Sequence, residues 1–592
     1  MAIAAETLAK AFEREALRYG ARAFLTDKRH QAWRDHSWSD VAGRAMRLRT
    51  GLIHLGIEHG DRIAILSENS PEWVVVDQAV LGLGAVVVPL YTTSGAEDIR
   101  HVITDSGARL IAVNGDRLIE KVQGLGPLPG VEGILAMHPD AVAQDGAGLE
   151  VIAVKQVSDF EPTRAIEGSR NDLATFIYTS GTTGPSKGVM LSHGNILANC
   201  ESSLDALNLR DSDVVLSILP VAHAFERTGG YYTVMAAGGT IAYAEGLGQI
   251  AQNLLEIEPT VVLAVPRLLE AVYSRIMRTV ESSSSLKRGL FNAAVKAGAR
   301  AAEYRHRGVA VPALLAARMA LYRRLVFAKI QEVFGSRLRY LISGGAPLPV
   351  EINRFFAAAE LPIVEGYGLT EAAPVVSCNL HGRTRVGTVG RPIKNVEVRL
   401  DADGELLVRG ANVMVGYYKR EEETREAIDR EGWLHTGDIA EIDADGYIKI
   451  TDRKKEIIVL SGGRNVSPAN LESRLVGDPF IAQACVIGDR RKHLAAIIVP
   501  DFEALHGPQA RQLEFDGAKP EEAVANPKMR KLFHDRLREF NRARSDVEAI
   551  VDFVLTATPF SQENGELTPT LKVRRKVVQE HYRTAIDAMY GG

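Results

Sequence analysis

The chain of 592 residues carries 70 Lys and Arg against 74 Asp and Glu, and its net charge of −4 gives no electrostatic ground for a nucleic-acid partner. It exceeds the size at which a single core stops growing, so two or more domains with ample buried core are expected. Three cysteines, Cys200, Cys378 and Cys485, lie far apart with no CxxC pair; they indicate neither a zinc site nor a disulfide framework and suit a reducing cytoplasm.

Residues 1–19 read as an amphipathic helix carrying Glu6, Glu13 and Glu15, without the long apolar core of a signal peptide. Residues 62–89 alternate strand, helix and strand, a βαβ unit. Strand-like runs at 214–219, 261–265 and 338–343 repeat the alternation, which predicts parallel-rich sheets with covering helices. Gly82-Leu83-Gly84 lacks the third glycine of a dinucleotide fingerprint and reads as helix–strand packing. The longest nearly apolar run, 79–91, is too short to span a bilayer. A cytoplasmic protein is expected, either free or peripheral at the inner membrane face.

An apolar strand at 173–177 leads into a polar loop, and a helix is expected from Gly194. Residues 282–335 read as a helical insertion. Within 286–330 ten Lys/Arg stand against one acidic residue, Glu303, interleaved with Leu290, Phe291, Val295, Leu314, Leu315, Met319, Leu321 and Leu325. Two readings stay open: a surface that meets anionic lipid, and, favoured here, a hairpin packed on its own domain with a solvated cationic face. After 395 the pattern is β-rich, with Asp403-Gly404 and Asp445-Gly446 as hairpin turns. A large domain over 1–451 and a small α+β domain over 452–592 follow.

Five constellations carry chemistry. The first, Tyr178 to His193, offers Gly181, Gly184 and Gly188 for close backbone approach, the hydroxyls of Thr179, Ser180, Thr182, Thr183 and Ser186, and the cation of Lys187. That inventory suits a polyphosphate, though by composition alone a plain turn fits equally well. It is not a Walker A loop, because Ser186 stands where that motif needs its lysine region. The second, Ser343-Gly344-Gly345-Ala346-Pro347, is small enough for a flat ring to lie against its backbone. The third, Glu365 to Glu371, brings Tyr367, Thr370 and Glu371 together, types able to stack on a base, bond a phosphate oxygen and help hold a hard cation. The fourth ends in Asp438, a carboxylate able to take two hydroxyls at once. The fifth, 565–575, contains Lys572 within a basic tail whose Arg574, Arg575 and Lys576 read as solvated charge.

In this order the five closely resemble the signatures of the adenylate-forming superfamily of acyl-CoA synthetases, luciferases and peptide-synthetase adenylation domains. The resemblance runs from about residue 10 to 585 and is nearest to the long-chain fatty acid CoA ligases, on the segment Pro220 to Glu226, the basic insertion and the run ending in Leu571-Lys572, where Gly-Lys is commoner in the superfamily. It implies ATP, Mg²⁺ and coenzyme A, a fatty acid substrate and no obligate protein partner. It further implies a pyrophosphate clamp at Thr179, Ser180, Gly181, Thr182, Thr183, Gly184 and Lys187. Gly344, Gly345, Ala346, Pro347 and Tyr367 would border adenine, Asp438 and Arg453 the ribose, Thr370 a phosphate, Glu371 the metal and His223 the acid. Lys572 would be the catalytic cation, on a small domain that the resemblance implies is mobile about a hinge at Asp452. The rival readings are an acyl-AMP ligase serving a carrier protein and a non-catalytic lipid- or nucleotide-binding protein of the same fold.

Overall fold

The computed structural model describes residues 3–138, 140–141, 149–179, 185–380, 383–454, 456–462, 464–505, 519–542, 544–568 and 573–591. Its large part is a stack of five layers in which two sheets alternate with helices. The βαβ unit seeds the first sheet: Arg62–Leu66 and Val86–Leu90 pair in parallel. Six more strands complete this sheet of eight, with Leu173–Thr179, Lys187–Ser192 and Gly416–Tyr417 closing one edge. In the second sheet of nine strands, Val214–Ser217, Val261–Ala264, Tyr340–Ser343 and Ile363–Gly368 run parallel.

Strand alternation builds the layers. Ile63, Ile65 and Val87 face one core, whereas Ala64, Leu66, Val86 and Val88 face another. Val215, Val261, Leu263 and Tyr340 share the first of these cores, and Leu216, Val262, Ala264 and Leu341 point away into a third. The first core is therefore a helical layer clasped between both sheets. Both faces of each sheet are covered, which is why these strands read as continuous Val/Ile/Leu runs.

The helix Pro71–Leu81 lies in that central layer with every residue buried. Its Asp77 is neutralised there: Arg227 Nη2 donates to Asp77 Oδ1 at 2.5 Å, and the hydroxyls of Tyr231 and Tyr232 donate at 3.0–3.1 Å. Arg49 makes a second buried ion pair with Glu13 at 2.7 Å. A side chain on Gly82 would strike that guanidinium at 2.1 Å, so this glycine makes room for Arg49 of the helix Trp38–His54 rather than for a strand.

Residues 282–335 are helical, with Ser285–His306 and Ala313–Tyr322 as the main helices. Phe291, Met319, Tyr322 and Phe327 pack into the outer core of the second sheet, while Leu286, Leu290, Leu314, Leu321 and Leu325 stay exposed. Among the described residues no helix is long and apolar enough to cross a membrane.

The two hairpins expected after 395 form one four-stranded sheet, with turns at Asp401–Gly404 and Asp443–Gly446. Beyond it a three-stranded sheet places Leu494, Ala496 and Ile498 on one core and Ala495, Ile497 and Val499 on the other.

Candidate active site

The polar loop is the tip of a hairpin. The sequence reading ran the loop straight into a helix, and the structure corrects this with a strand, Lys187–Ser192, antiparallel to Leu173–Thr179 and with Thr179 opposite Lys187. The apolar triplet Val189-Met190-Leu191 was the available signal. The helix then starts at His193: Ser192 Oγ accepts the Asn195 N–H at 3.1 Å, and Asn195 Oδ1 accepts the Ser192 N–H at 2.9 Å. Ser180, Gly181, Thr182, Thr183 and Gly184 lie outside the described residues.

The shoulders of the hairpin are held by residues that no motif announced. Tyr178 donates to Asp105 at 2.7 Å, and a His101 ring nitrogen lies 2.9 Å from the Ser186 carbonyl oxygen. A side chain on Gly188 would meet the Tyr178 ring at 3.0 Å. The Lys187 ammonium stands 3.8 Å from Glu423 and 5.3 Å from the centre of the Tyr417 ring.

Gly344, Gly345, Ala346 and Pro347 follow the strand Tyr340–Ser343, and Tyr367 lies in the parallel neighbour Ile363–Gly368. Both segments thus sit toward the carboxyl ends of adjacent strands, where open α/β sheets take ligands. Gly345 has φ +83°, a left-handed conformation that suits glycine. A side chain on Gly344 would come within 3.1 Å of the Phe225 ring, so this segment borders the one containing His223.

Asp438 and Arg453 are opposite one another on paired strands. Asp438 Oδ1 accepts from Arg453 Nε at 2.9 Å and Oδ2 from the Tyr367 hydroxyl at 2.5 Å. The Asp438 side chain is 3% exposed, whereas Arg453 is about half exposed. Burial, and then the Asp438 charge, push the Tyr367 hydroxyl well above its ordinary range, which keeps it a donor. Glu405, absent from the sequence reading, braces the turn beside Asp438: it accepts the Gly437 N–H at 2.8 Å and Lys454 Nζ at 3.0 Å.

Thr370 and Glu371 occupy a single turn, Thr370–Ala372, directly after the Tyr367 strand. Glu371 Oε1 accepts the Tyr417 hydroxyl at 2.9 Å. The hard carboxylate oxygens of Glu371 fit a magnesium ion that keeps phosphate and water ligands. His223 closes a turn in which its N–H donates to Pro220 at 2.9 Å, and its Nδ1 accepts the Phe225 N–H at 3.2 Å. The chain then enters a buried π-helix, Glu226–Tyr232. Burial pushes the Glu226 carboxyl up to about 8, against which its bond from Ser217 at 2.6 Å acts only weakly.

Lys572 lies outside the described residues, although its flanks Leu567 and Val573 form an antiparallel bridge. The expectation that Arg575 is solvated is corrected. Its side chain is 15% exposed, pairs with Glu472 and donates to the Val486 carbonyl at 2.6 Å. Those partners sit on a helix and a strand of the small domain, so Arg575 anchors the segment that follows Lys572. A basic run in sequence carries no sign of a distant acidic partner.

Two parallel-rich sheets, the Leu173–Ser192 hairpin and an aspartate braced by tyrosine and arginine make up an architecture shared with solved enzymes. The same architecture appears in an anthranilate CoA ligase solved with anthranoyl-AMP, with a TM-score of 0.75, 20% identity and 98% of both chains covered. It also appears in the adenylation domain of a carboxylate reductase from Mycobacterium chelonae, at 0.77 and 24% identity, covering 99% of this chain and 91% of that one. The AMP-binding enzyme family matches residues 12–418 and its C-terminal domain matches 455–592, and the chain belongs to that family. Relatives over nearly the full length include the long-chain-fatty-acid–CoA ligase FadD15 of Mycobacterium bovis, 35% identical over 94% of this chain and 92% of that protein. Fatty acyl-CoA synthetase A of Dictyostelium discoideum is 32% identical over 96% and 88%, and long-chain-fatty-acid–CoA ligase 5 of Rattus norvegicus 32% over 95% and 85%. This chain is an enzyme of the acyl-CoA synthetase branch, using ATP and coenzyme A.

Proposed function

We propose that the enzyme activates a long-chain fatty acid with ATP, forming acyl-AMP and pyrophosphate, and transfers the acyl group to coenzyme A with release of AMP. The observation that carries the substrate class is the likeness to long-chain ligases over 94% of the chain. The reading of the nucleotide side rests on the Asp438 carboxylate held between Tyr367 and Arg453.

In this reading the Asp438 oxygens take the ribose hydroxyls, and the ring of Tyr367 and the backbone from Gly344 to Pro347 border the base. Thr179, Ser180, Gly181, Thr182, Thr183, Gly184 and Lys187 grip the phosphates, Thr370 bonds a phosphate oxygen, and the acid approaches past His223. Negative charge grows on the α-phosphoryl group as the carboxylate attacks, and Lys572 meets it; aimed charges of this kind are worth roughly 3–4 kcal/mol each. Magnesium, held by Glu371, would neutralise the departing pyrophosphate. The domains divide near residue 452, and rotation about Asp452 brings Lys572 in for the first step and takes it out for the second.

Residues 286–330 pack on their own domain through Phe291, Met319, Tyr322 and Phe327, and we propose their outward face for peripheral contact with anionic lipid. Support comes from five exposed leucines, Leu286, Leu290, Leu314, Leu321 and Leu325, set among Lys287, Arg288, Arg318 and Arg324. Co-flotation with anionic vesicles tests this: binding weakens as salt rises and is lost in Leu321→Asp/Leu325→Asp, and salt-insensitive or absent binding contradicts it. The catalytic reading is tested by fatty-acid-dependent exchange of pyrophosphate into ATP. Exchange with acids of long chain is expected, and its absence with every acid in a length series leaves the non-catalytic binding protein.

A further inference from the structure

Gly416–Tyr417 is a two-residue strand with two attachments. On one side Gly416 pairs with Met190 and Tyr417 with Val189, and the Tyr418 N–H donates to the Gly188 carbonyl at 2.8 Å, so the strand is laid along Lys187–Ser192. On the other side the Met414 N–H donates to the Glu371 carbonyl at 2.8 Å. The Tyr417 N–H donates to Thr424 Oγ1 at 2.9 Å, which ties the strand to the helix Glu421–Ala427 that carries Glu423. The partly buried Tyr417 side chain lies between two opposite charges: its hydroxyl donates to Glu371 Oε1 at 2.9 Å, and the centre of its ring lies 5.3 Å from Lys187 Nζ.

We propose that Tyr417 is a positioning residue that sets Glu371 and Lys187, from opposite sides, for the metal and phosphate end of ATP. The proposal rests on the nucleotide-site reading above. As a phenol, Tyr417 donates to Glu371 Oε1. Its bond occupies one Glu371 oxygen and orients the other, as residues behind a metal ligand do. The ring face attracts the Lys187 ammonium by cation–π attraction and draws it away from full pairing with Glu423. One short strand therefore couples two site residues that lie far apart in sequence, in elements that do not otherwise pair with each other in register.

Tyr417→Phe removes the hydroxyl and keeps the ring. Calorimetric titration of α,β-methylene ATP into the full-length enzyme at a series of Mg²⁺ concentrations reads the effect without turnover. The cation concentration for half-maximal binding is expected to rise about tenfold, while conversion of supplied acyl-AMP and coenzyme A to thioester changes less than twofold. Tyr417→Leu, which also loses the ring, binds the analogue more weakly at saturating Mg²⁺. Adding Tyr417→Phe to Glu371→Gln is expected to change the cation dependence no further. An unaltered cation dependence in Tyr417→Phe, or an equal loss of both half-reactions with a lowered melting temperature, overturns the proposal. The two failures are distinguishable: if Glu371→Gln shifts the cation dependence and Tyr417→Phe does not, only Tyr417 is misassigned, whereas an unshifted Glu371→Gln overturns the site reading beneath it.

Discussion

At the scale of single residues, the chemistry turns on how each charge is prepared. Asp438 is 3% exposed and carries two donors on its two oxygens, so in the proposed reading a ribose would exchange one set of hydrogen bonds for another in a place where water competes poorly. Asp438→Asn loses charge-assisted bonds worth about 1.5–3 kcal/mol. The KM for ATP is expected to rise roughly ten- to a hundredfold, with the KM for coenzyme A nearly unchanged; steady-state kinetics checks this. Glu226 shows the opposite preparation. Its carboxyl sits at about 8 when folded against 4.5 in its ordinary setting, so the folded enzyme holds the proton more tightly than the unfolded chain. That contribution to stability is full below about pH 4.5 and is lost as pH rises to about 8, at up to about 1.4 kcal/mol per pH unit. Glu226→Gln keeps an acceptor for Ser217 and cannot ionise, so the thermal midpoint of the variant relative to the wild type should be higher at pH 8 than at pH 5. An equal difference at both values contradicts the buried neutral acid.

At the scale of elements, sequence was most informative where a period or a turn left a direct trace. The βαβ unit, the strand before the phosphate loop and the Asp-Gly hairpins were readable because alternation and turn chemistry are local. The strand Lys187–Ser192 left only the triplet Val189-Met190-Leu191 as a trace, which the leading Lys-Gly disguises as the end of a loop until its pairing with Leu173–Thr179 is seen. Charge pairing was equally hidden: Arg575 reads as tail and is an anchor, and Asp77 reads as one polar residue of a helix and is the centre of a buried network. The site motifs were legible as types, whereas their braces, His101, Asp105, Glu405 and Tyr417, had no signal because each acts across a gap of many residues. The Asp77–Arg227 pair holds the central helix to the π-helix that follows His223. Arg227→Met leaves a buried carboxylate without its cation and is expected to cost about 3–5 kcal/mol, seen as a lowered thermal midpoint. A midpoint like that of the wild type means that the tyrosine hydroxyls alone satisfy Asp77.

At the scale of the whole molecule, the proposed function runs two unlike reactions at one nucleotide site, alternating by movement of the small domain. Asp452 pairs with Ile439 at the last strand before that domain, one residue ahead of Arg453. Proline at 452 fixes φ near −65° and removes a donor, so Asp452→Pro is expected to slow one half-reaction at least tenfold more than the other; equal rates argue against a hinge at this position. The most direct test of the central claim is the pair of half-reactions in Lys572→Ala. Fatty-acid-dependent formation of acyl-AMP from ATP is expected to fall by roughly two orders of magnitude or more, while supplied acyl-AMP and coenzyme A still give thioester at close to the wild-type rate. Loss of both half-reactions together, or retention of both, would contradict it.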